Sequence, residues 1–551
     1  MLPFVINGPS RRAFFAGALA GLAMPAAASA AAPASAATLD TAAARGRLPE
    51  RPNILLILAD DLGWGEIGSN GQRAIRTPNL DRLAAEGVQF TTAYSGAPLC
   101  APSRCALLTG LHAGHGTVRQ NPAGGPQRSL TADDLTFAEL LRMSGYRTAC
   151  IGKWGFGPED PGHVSHPNAR GFDEFYGYIG HKHAHQYFPK YLWHNGEKVR
   201  LNGGSYAPHL FRERAIEFIK DSGDRPFLLY FPTNLPHAPS AVPGDAGPYE
   251  NRPWSGPNRR HAAQVSRLDT DVAALIRALR DAGVAERTLV LFTSDNGPHH
   301  EKGVTPELFD GNGPYRGGKR DLYEGGIRVP MIAWSPGLRH RVVRRPVAFW
   351  DVLPTLADLA EVPVPARVDG LSFRGLLTGG DAPEHDHLVW NRPRKMQAIR
   401  RGRWKAIRFG PHVAGAGPRG RVELYDLRTD PYERRNLAAA RPGLVKQLLT
   451  RLDRSIGPDS RLPYGLRTEV RAGEVVVTLH NGSAEPWRDV RLGLDGERGA
   501  RPGAVASVAP GMSISARFPV PASGGITARA DFRARGRKQV FRRAHRAAAT
   551  G

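Results

Sequence analysis

The feature that most constrains the fold is a continuous apolar run at residues 53–58, which Asp60 and Asp61 follow. A run that does not alternate with polar residues is typical of a strand buried on both faces. Similar strand candidates lie at residues 148–151, 227–231, 289–293 and 331–334. Helical patterns lie between them, at residues 79–86, 136–143, 210–220, 262–282 and 352–359. This alternation predicts an α/β sandwich with a mostly parallel sheet.

The pattern changes in the last third of the chain. Short strands are predicted at residues 397–399, 405–408 and 423–427, and β-like segments return at 474–480, 490–494 and 513–519. We therefore predict four successive parts: an α/β domain at 51–383, an α+β subdomain at 384–458, a small β-sandwich-like domain at 464–535 and a basic tail at 536–551.

The first 37 residues are typical of an export signal. Arg11 and Arg12 precede a short apolar run at residues 16–24, and small-residue cleavage sites follow it. The run is too short to cross a bilayer. The paired arginines resemble a twin-arginine signal, which implies the twin-arginine export machinery as a partner, and an ordinary secretory signal is the alternative. With residues 38–50 as a linker, both predict a periplasmic or secreted protein with no integral membrane segment after cleavage.

Two acidic motifs follow predicted strands. Asp60 and Asp61 follow the first strand, and Asp295 and Asn296 follow a later one. Each pair alone is common in turns. The carboxyl ends of parallel strands meet at one edge of a sheet, and hard oxygen ligands suit Ca²⁺ or Mg²⁺. Together these motifs predict a cation site.

Residues 100–110 (CAPSRCALLTG) place a cysteine in a Pro-containing turn that opens a helix, four residues ahead of Arg104. Taken alone, Cys100 could equally be a buried turn cysteine. The other two cysteines are Cys105 and Cys150, and three are too few for a disulfide framework in a chain of this size. A bridge between Cys105 and Cys150 stays open at this point.

This stretch resembles the sulfatase signature, Cys-x-Pro-Ser-Arg followed by Leu-Thr-Gly, in which the cysteine is oxidised to formylglycine. Further matches to the family run in order at residues 52–63, 77–81, 152–154, 171–173, 236–239, 294–297, 317–319, 324–330 and 424–431. The resemblance covers about residues 50–456 and is to the bacterial arylsulfatase-type branch. It implies an alkaline-phosphatase-like α/β/α sandwich.

The resemblance also implies a mechanism. The aldehyde at position 100 is hydrated to a gem-diol; one hydroxyl attacks sulfur and the other later expels sulfate. A formylglycine-generating enzyme is then a necessary partner. The expected metal ligands for Ca²⁺, with Mg²⁺ as the alternative, are Asp60, Asp61, Asp295, Asn296 and the residue at position 100.

The cationic and histidine positions of the family pattern have expected roles as well. Arg104 and Lys153 should neutralise the nucleophile and the sulfate. His237 and Lys319 should face the leaving oxygen, and one of them should donate its proton.

One position departs from the family pattern. Many relatives carry a histidine two residues after the catalytic lysine, where this chain has Gly155. We expect a residue from the segment 180–185 to replace it, with His183 and His185 as candidates because they share a face if the segment is extended. His115 is a second candidate, and a water molecule in the space is the alternative.

The predicted function is hydrolysis of sulfate esters, either aryl sulfates or sulfated carbohydrates. Two alternatives stay open: a formylglycine-dependent phosphonate or phosphate ester hydrolase, and a non-catalytic protein that binds sulfated polysaccharide. The net charge of +23 would attract polyanions, although an Arg-rich composition alone also produces it. Nucleic acid is not a predicted partner, because no helix-turn-helix, zinc-finger or RNA-binding motif accompanies the charge.

Overall fold

The structure of the protein is a computed structural model. It describes residues 46–122, 127–366, 368–410, 420–456, 465–471, 473–481, 485–495, 503–509, 512–521, 526–534 and 536–544. The predicted export signal at residues 1–37 and the end of the predicted tail, residues 545–551, lie outside the described residues.

Among these residues, eleven strands form a central mixed sheet in the order β10-β2-β9-β8-β1-β7-β3-β4-β5-β6, with β11 beside β2. Their bounds are β1 Asn53–Ala59, β2 Val88–Tyr94, β3 Arg147–Lys153, β4 Glu174–Tyr178, β5 Tyr191–His194, β6 Glu197–Arg200, β7 Phe227–Pro232, β8 Thr288–Ser294, β9 Arg328–Trp334, β10 Arg341–Val343 and β11 Val347–Ala348. The inner strands β8, β1, β7, β3 and β4 are parallel to one another, and β9 runs antiparallel to β2 and β8. The predicted mostly parallel sheet is confirmed.

Helices cover both faces of this sheet. Their bounds are α1 Pro78–Glu86, α2 Cys100–Thr109, α3 Phe137–Met143, α4 Ala207–Lys220, α5 Gly256–Asp281, α6 Glu324–Ile327, α7 Val352–Leu359, α8 Arg374–Thr378 and α9 Pro442–Ser455. The apolar side chains of α1, α4 and α5 pack on one face, and those of α2, α3 and α7 pack on the other. The result is the three-layer α/β/α sandwich.

The apolar run at residues 53–58 is explained by the position of β1 in the middle of the sheet. In β1, the side chains of Ile54, Leu56 and Leu58 belong to one buried cluster, whereas Leu55 and Ile57 belong to the cluster on the opposite face. Because both faces are covered, no position in this strand can be polar without losing solvation.

A second, four-stranded antiparallel sheet follows the sandwich. Its strands are β12 Leu388–Arg392, β13 Met396–Arg401, β14 Trp404–Phe409 and β15 Arg421–Asp426. Leu448 and Leu452 of α9 pack on the face that carries Ile399, Ala406 and Leu424.

Two small antiparallel sheets complete the described chain, in the orders β16-β17-β20 and β19-β18-β21-β22. Their strands are β16 Gly465–Arg471, β17 Glu474–His480, β18 Trp487–Leu494, β19 Gly503–Val508, β20 Ser513–Pro519, β21 Thr527–Ala534 and β22 Arg537–Ala544. The apolar faces of the two sheets share one buried cluster.

The last strand corrects the sequence analysis, which ended the β region at residue 535 and began a basic tail at 536. Phe541 of β22 is buried against Trp487 and Phe532, with ring centroids 5.9 and 4.9 Å away. An apolar residue inside the basic run therefore gives that run an inward face, and the β region extends to Ala544.

None of the helices in the described ranges combines the length and the apolar composition that a bilayer-spanning helix needs.

Candidate active site

The carboxyl ends of four neighbouring strands meet at one edge of the central sheet. Because β8, β1, β7 and β3 are adjacent and parallel, the residues that follow them share this edge. Asp60 and Asp61 follow β1, Asp295 follows β8, His237 lies beyond β7, and Lys153 is the last residue of β3. The fold thus brings together five of the polar residues predicted from the sequence.

Cys100 is the first residue of α2, as predicted, and its side chain is fully buried. Its Sγ lies 3.8 Å from Oδ1 of Asp61. Burial raises the pKa of the thiol well above its ordinary value, although the charges of Lys153 and Lys319 oppose this. The unmodified thiol is therefore protonated at neutral pH and is a poor nucleophile.

Two lysines neutralise the aspartates that follow β1. Lys153 Nζ lies 2.6 Å from Asp60 Oδ2, and Lys319 Nζ lies 2.7 Å from Asp61 Oδ2. Burial alone would raise the pKa of Asp60, but nearby positive charge, that of Lys153 foremost, holds this pKa well below its ordinary value. Both carboxylates are therefore ionised although they are buried.

Arg104 pairs with the aspartate that follows β8. Its Nε and Nη2 lie 3.0 and 2.8 Å from Asp295 Oδ2, and its Nη1 donates to the Lys153 carbonyl at 2.8 Å. Burial and the charge of Asp60 nevertheless raise the pKa of Asp295 to about 7. Asp295 is therefore a carboxylate whose negative charge the surrounding protein groups only partly stabilise.

Two buried oxygen atoms of this cluster, Oδ1 of Asp60 and Oδ1 of Asn296, accept no hydrogen bond from the described residues. Asp60 Oδ1 has a longer ion-pair contact of 3.5 Å to Arg104 Nη2. The amide of Asn296 is oriented by its Nδ2, which donates to Asp61 Oδ1 at 2.8 Å. Ligand atoms of Asp60, Asp61, Cys100 and His237 all lie within 4.8 Å of one another. Buried oxygens that lack a donor, beside ionised carboxylates, fit the ligand set of a divalent cation.

His237 is held in one tautomer by its surroundings. Its Nδ1 contacts the carbonyl of Ala238, which can only accept, so Nδ1 carries the proton. Nε2 is then an acceptor and lies 3.1 Å from Lys319 Nζ. Burial and the charge of Lys319 lower the pKa of His237 well below its ordinary value, whereas the carboxylate of Asp61 raises the pKa of Lys319 against the effect of burial. Lys319 is thus the protonated member of this pair.

The two histidines predicted to replace the missing one are separated by the fold. His185 stacks on His237 at a centroid distance of 4.3 Å and lies in the cluster. His183 instead contacts Tyr191 at 4.3 Å and Tyr178 at 4.8 Å, and its Nδ1 lies 3.6 Å from Glu159. The structure does not bring His183 into the cluster around Cys100.

The physical reason is local. His183–His185 form one turn of 3-10 helix and not the extended segment on which the prediction depended. With three residues per turn, side chains two positions apart point in different directions.

His115 also lies outside the cluster. Its Nδ1 is 2.8 Å from Asp369 Oδ1, and its ring stacks on His112 at 4.3 Å. The carboxylate of Asp369 accepts in addition from the backbone N–H of His112 at 2.9 Å. These contacts hold two loops together, which is a structural role.

Two further residues at the cluster, His299 and Glu301, were missed by the sequence analysis. Ligand atoms of Asp61, His299 and Glu301 lie within 4.8 Å of one another, and Glu301 Oε1 is 3.4 Å from Lys319 Nζ. The available signal was their position in the loop that Asp295 opens, because residues that closely follow a predicted ligand at a strand end stay near that ligand.

The other two cysteines, Cys105 and Cys150, are both buried. The bridge that the sequence left open is not formed in the structure.

Residues 52–362 match the model of the family described as Sulfatase. The chain belongs to the sulfatase family. Residues 316–456 match a second family model, described as N-sulphoglucosamine sulphohydrolase, C-terminal. The second match covers β12 to β15 and α9 and assigns this region to the sulfatase fold.

Relatives of this sulfatase carry names from two substrate classes. The chain is 34% identical to N-acetylgalactosamine-6-sulfatase of Canis lupus familiaris over 392 residues, covering 65% of this chain and 72% of the relative. It is 33% identical to arylsulfatase A of Homo sapiens over 457 residues, covering 73% of this chain and 86% of the relative. Both relatives are sulfuric ester hydrolases, and so is this enzyme.

Among solved structures, the sulfatase is similar to Ps i-CgsB in complex with k-i-k-neocarrahexaose. The TM-score is 0.64 and the identity 28%, and the match covers 74% of this chain and 92% of the other. The similarity confirms the predicted alkaline-phosphatase-like sandwich.

Proposed function

We propose that this sulfatase hydrolyses aryl sulfates or sulfated carbohydrates with an oxygen nucleophile derived from Cys100. Conversion of Cys100 to formylglycine supplies a hydrated aldehyde as that nucleophile. The observation that carries the proposal is the place of Cys100 at the start of α2, with its Sγ 3.8 Å from Asp61 and within reach of buried cations.

A divalent cation, which we take to be Ca²⁺ with Mg²⁺ as the alternative, would be held by Asp60, Asp61, Asp295, Asn296 and position 100 and would act as a Lewis acid on a sulfate oxygen. The donor-free oxygens of Asp60 and Asn296 support this assignment.

The cations beside Cys100 divide into two groups. Lys153 and Arg104 are wholly buried, and both lie beside Asp60, at 2.6 and 3.5 Å. Positive groups fixed in a dry site stabilise negative charge more strongly than water does. We assign both residues to binding the sulfate.

Lys319 and His237 face the leaving oxygen. Because Lys319 holds the proton in this pair and His237 Nε2 accepts from it at 3.1 Å, we assign the general acid to Lys319. His237 orients the ammonium group, and His185 stacks on His237 and limits its movement. Their geometry supports proton donation to an alcohol or phenol as it leaves.

The substrate classes rest on the relatives, since one is named for N-acetylgalactosamine-6-sulfate and another for aryl sulfates. The test is to produce the enzyme together with a formylglycine-generating enzyme and to compare turnover of p-nitrophenyl sulfate, p-nitrophenyl phosphate and a phenylphosphonate ester. We expect sulfate turnover that chelator abolishes and Ca²⁺ restores. Preferred turnover of the phosphorus esters would contradict the proposal.

The matched variants are Cys100→Ala and Cys105→Ala, because both cysteines are buried in α2. We expect the first to lose about 10⁴-fold or more in kcat and the second to stay active, since only position 100 is converted. Turnover that survives Cys100→Ala would remove the proposed nucleophile.

We also propose export through the twin-arginine machinery. The support is the pair Arg11 and Arg12 ahead of a short apolar run. Replacing both with lysine should keep the protein in the cytoplasm, as judged by fractionation. Unchanged export of that variant would favour the ordinary secretory route.

A further inference from the structure

His181 lies between β4 and the 3-10 turn at His183–His185, and only 7% of it is exposed. Its backbone N–H donates to Gln127 Oε1 at 2.8 Å, and Gln127 Nε2 donates to the Gly155 carbonyl at 2.8 Å. One glutamine thus ties the loop that carries His181 to the loop that follows Lys153. The backbone of His181 is therefore tied to the loop at the end of β3.

The tautomer of His181 follows from a second contact. Asn121 Oδ1 accepts from the backbone N–H of Ala101 at 3.0 Å, so the amide nitrogen of Asn121 points the other way. That nitrogen lies 3.5 Å from His181 Nε2, which must then be an acceptor. The proton of the neutral ring is consequently on Nδ1.

The Nδ1–H group is a buried donor with no acceptor among the described residues. A buried donor without a partner is costly unless something else accepts from it. The ring of His181 lies 5.1 Å, centroid to centroid, from the ring of His185, which stacks on His237 in the candidate site at 4.3 Å. Burial and Lys153 lower the pKa of His181 far below its ordinary value, so the ring stays neutral.

Gly155, two residues after Lys153, offers no side chain to the candidate site. Its φ is +89°, which favours glycine, and a Cβ there would lie 3.3 Å from Cδ of Arg104. No polar group can therefore reach the cluster from position 155. His181 lies in the neighbouring loop, which follows β4 and is tied by Gln127 to the same end of β3.

We propose that His181 donates a hydrogen bond from Nδ1–H to an oxygen of the sulfate group bound beside Lys153, and that it acts as a neutral donor and not as an acid or base. This inference rests on the proposed function, because it concerns the same bound sulfate. It assigns a substrate-contacting residue that the sequence analysis included in its segment 180–185 but did not single out.

The test compares three substitutions at this position. An asparagine amide can place its N–H near the histidine Nδ1, a glutamine amide extends to the position of Nε2, and leucine has similar bulk with no donor. We expect His181→Leu and His181→Gln to lose about 10- to 100-fold in kcat/KM for p-nitrophenyl sulfate, and His181→Asn to recover most of that loss. Equal losses in all three variants would mean that the donor is irrelevant.

The control is His183→Asn, because His183 is buried in the same segment but contacts Tyr191 and Tyr178. It should keep the wild-type kcat/KM. The ratio of kcat/KM between the wild type and His181→Leu should also be constant from pH 5.5 to 8, since a neutral donor does not titrate there. A ratio that changes about tenfold per pH unit would indicate an acid or base and would overturn the inference.

A binding measurement separates this inference from the proposed function. In the Cys100→Ala background with Ca²⁺, His181→Leu should weaken binding of inorganic sulfate about 10-fold or more in calorimetry, and His181→Asn should not. If the enzyme turned over no sulfate ester, the proposed function would fail while this comparison still reported on His181. Unchanged sulfate affinity in His181→Leu would overturn the inference alone.

Discussion

The candidate site and a second buried group of charged residues, both in the described part of this sulfatase, differ in how completely their polar atoms are paired. The second group, which we call the subdomain ion cluster, consists of Glu324, Lys405, Glu433 and Tyr94 and joins the four-stranded sheet to the sandwich. In the subdomain ion cluster, Lys405 Nζ lies 2.9 Å from Glu324 and 2.8 Å from Glu433.

The remaining carboxylate oxygens of the subdomain ion cluster also have partners. Tyr94 donates to Glu324 Oε2 at 2.7 Å, and the backbone N–H of Glu324 donates to Glu433 Oε2 at 2.6 Å. Glu433 Oε1 accepts no hydrogen bond of good geometry from the described residues, but Lys405 Nζ lies 2.8 Å away. In the site, Asp60 Oδ1 has only a longer contact of 3.5 Å to Arg104 Nη2, and Asn296 Oδ1 has no hydrogen-bond partner among the described residues. Burial and charge are therefore common to both groups, and the candidate site differs in the missing or longer contacts of its oxygen atoms.

The largest expected effect is on the activity of Asp295→Asn. The proposed cation loses a charged ligand, so kcat/KM should fall by about 100- to 1000-fold. Removing this charge also takes from the buried Arg104 its partner at 2.8 Å, so the free energy of unfolding in chelator should fall. The loss should be smaller than for a fully stabilised pair, because burial and the charge of Asp60 already raise the pKa of Asp295 to about 7. Urea unfolding with chelator and with Ca²⁺ checks this, since the wild type should gain about 2.7 kcal/mol at a hundredfold excess over Kd and the variant less.

Lys405→Met should instead lower the stability and leave the activity of the folded enzyme nearly unchanged. It leaves two carboxylates buried without their cation, so the free energy of unfolding should fall by about 3–5 kcal/mol. The folded fraction should keep a kcat/KM within about twofold of the wild type. Lys446→Met, at an exposed position of α9, is the control. A Lys405→Met enzyme that is stable but inactive would contradict a purely structural role for the subdomain ion cluster.

Glu433→Gln should have a smaller effect, on the pH dependence of the free energy of unfolding. Burial raises the pKa of Glu433 from 4.5 to about 7, although Lys405 opposes this. The folded protein therefore holds this proton more tightly than the unfolded chain, and the associated stability is present below pH 4.5 and is lost as the pH rises through about 7. Glu433→Gln should lose less stability between pH 5 and 7 than the wild type. Unfolding curves at both pH values, with the exposed Glu286→Gln as control, test this; equal slopes would contradict it.

Much of the fold could be predicted from the sequence, because the inner strands are buried on both faces. The apolar run at residues 53–58 became β1, and the candidates at 148–151, 227–231, 289–293 and 331–334 all lie within strands. The strand β2 was missed because Gln89 and Thr91 interrupt its apolar residues and are only partly buried. Outer strands need only one apolar face, so their sequence signal is weaker.

The site was predictable where it follows strand ends and not where it depends on loop conformation. Asp60 and Asp295 could be grouped because parallel strands end at one edge. Whether His181, His183 or His185 enters the site depends on a single 3-10 turn, which leaves no periodicity to detect. Glu433 precedes two arginines in the sequence, and only tertiary packing makes it buried.

The complete enclosure of Cys100 sets an order of events during biosynthesis. Once α2 has packed against the sheet, Cys100 and the other residues of α2 are buried within the described part of the chain. A small sulfate ester needs only a narrow channel, whereas another enzyme would have to bind the peptide segment around the thiol. The proposed oxidation must therefore occur on the nascent or unfolded chain, before the sandwich closes. Protein that folds unmodified is then trapped as an inactive population, which unfolding and refolding in the presence of the modifying enzyme should rescue.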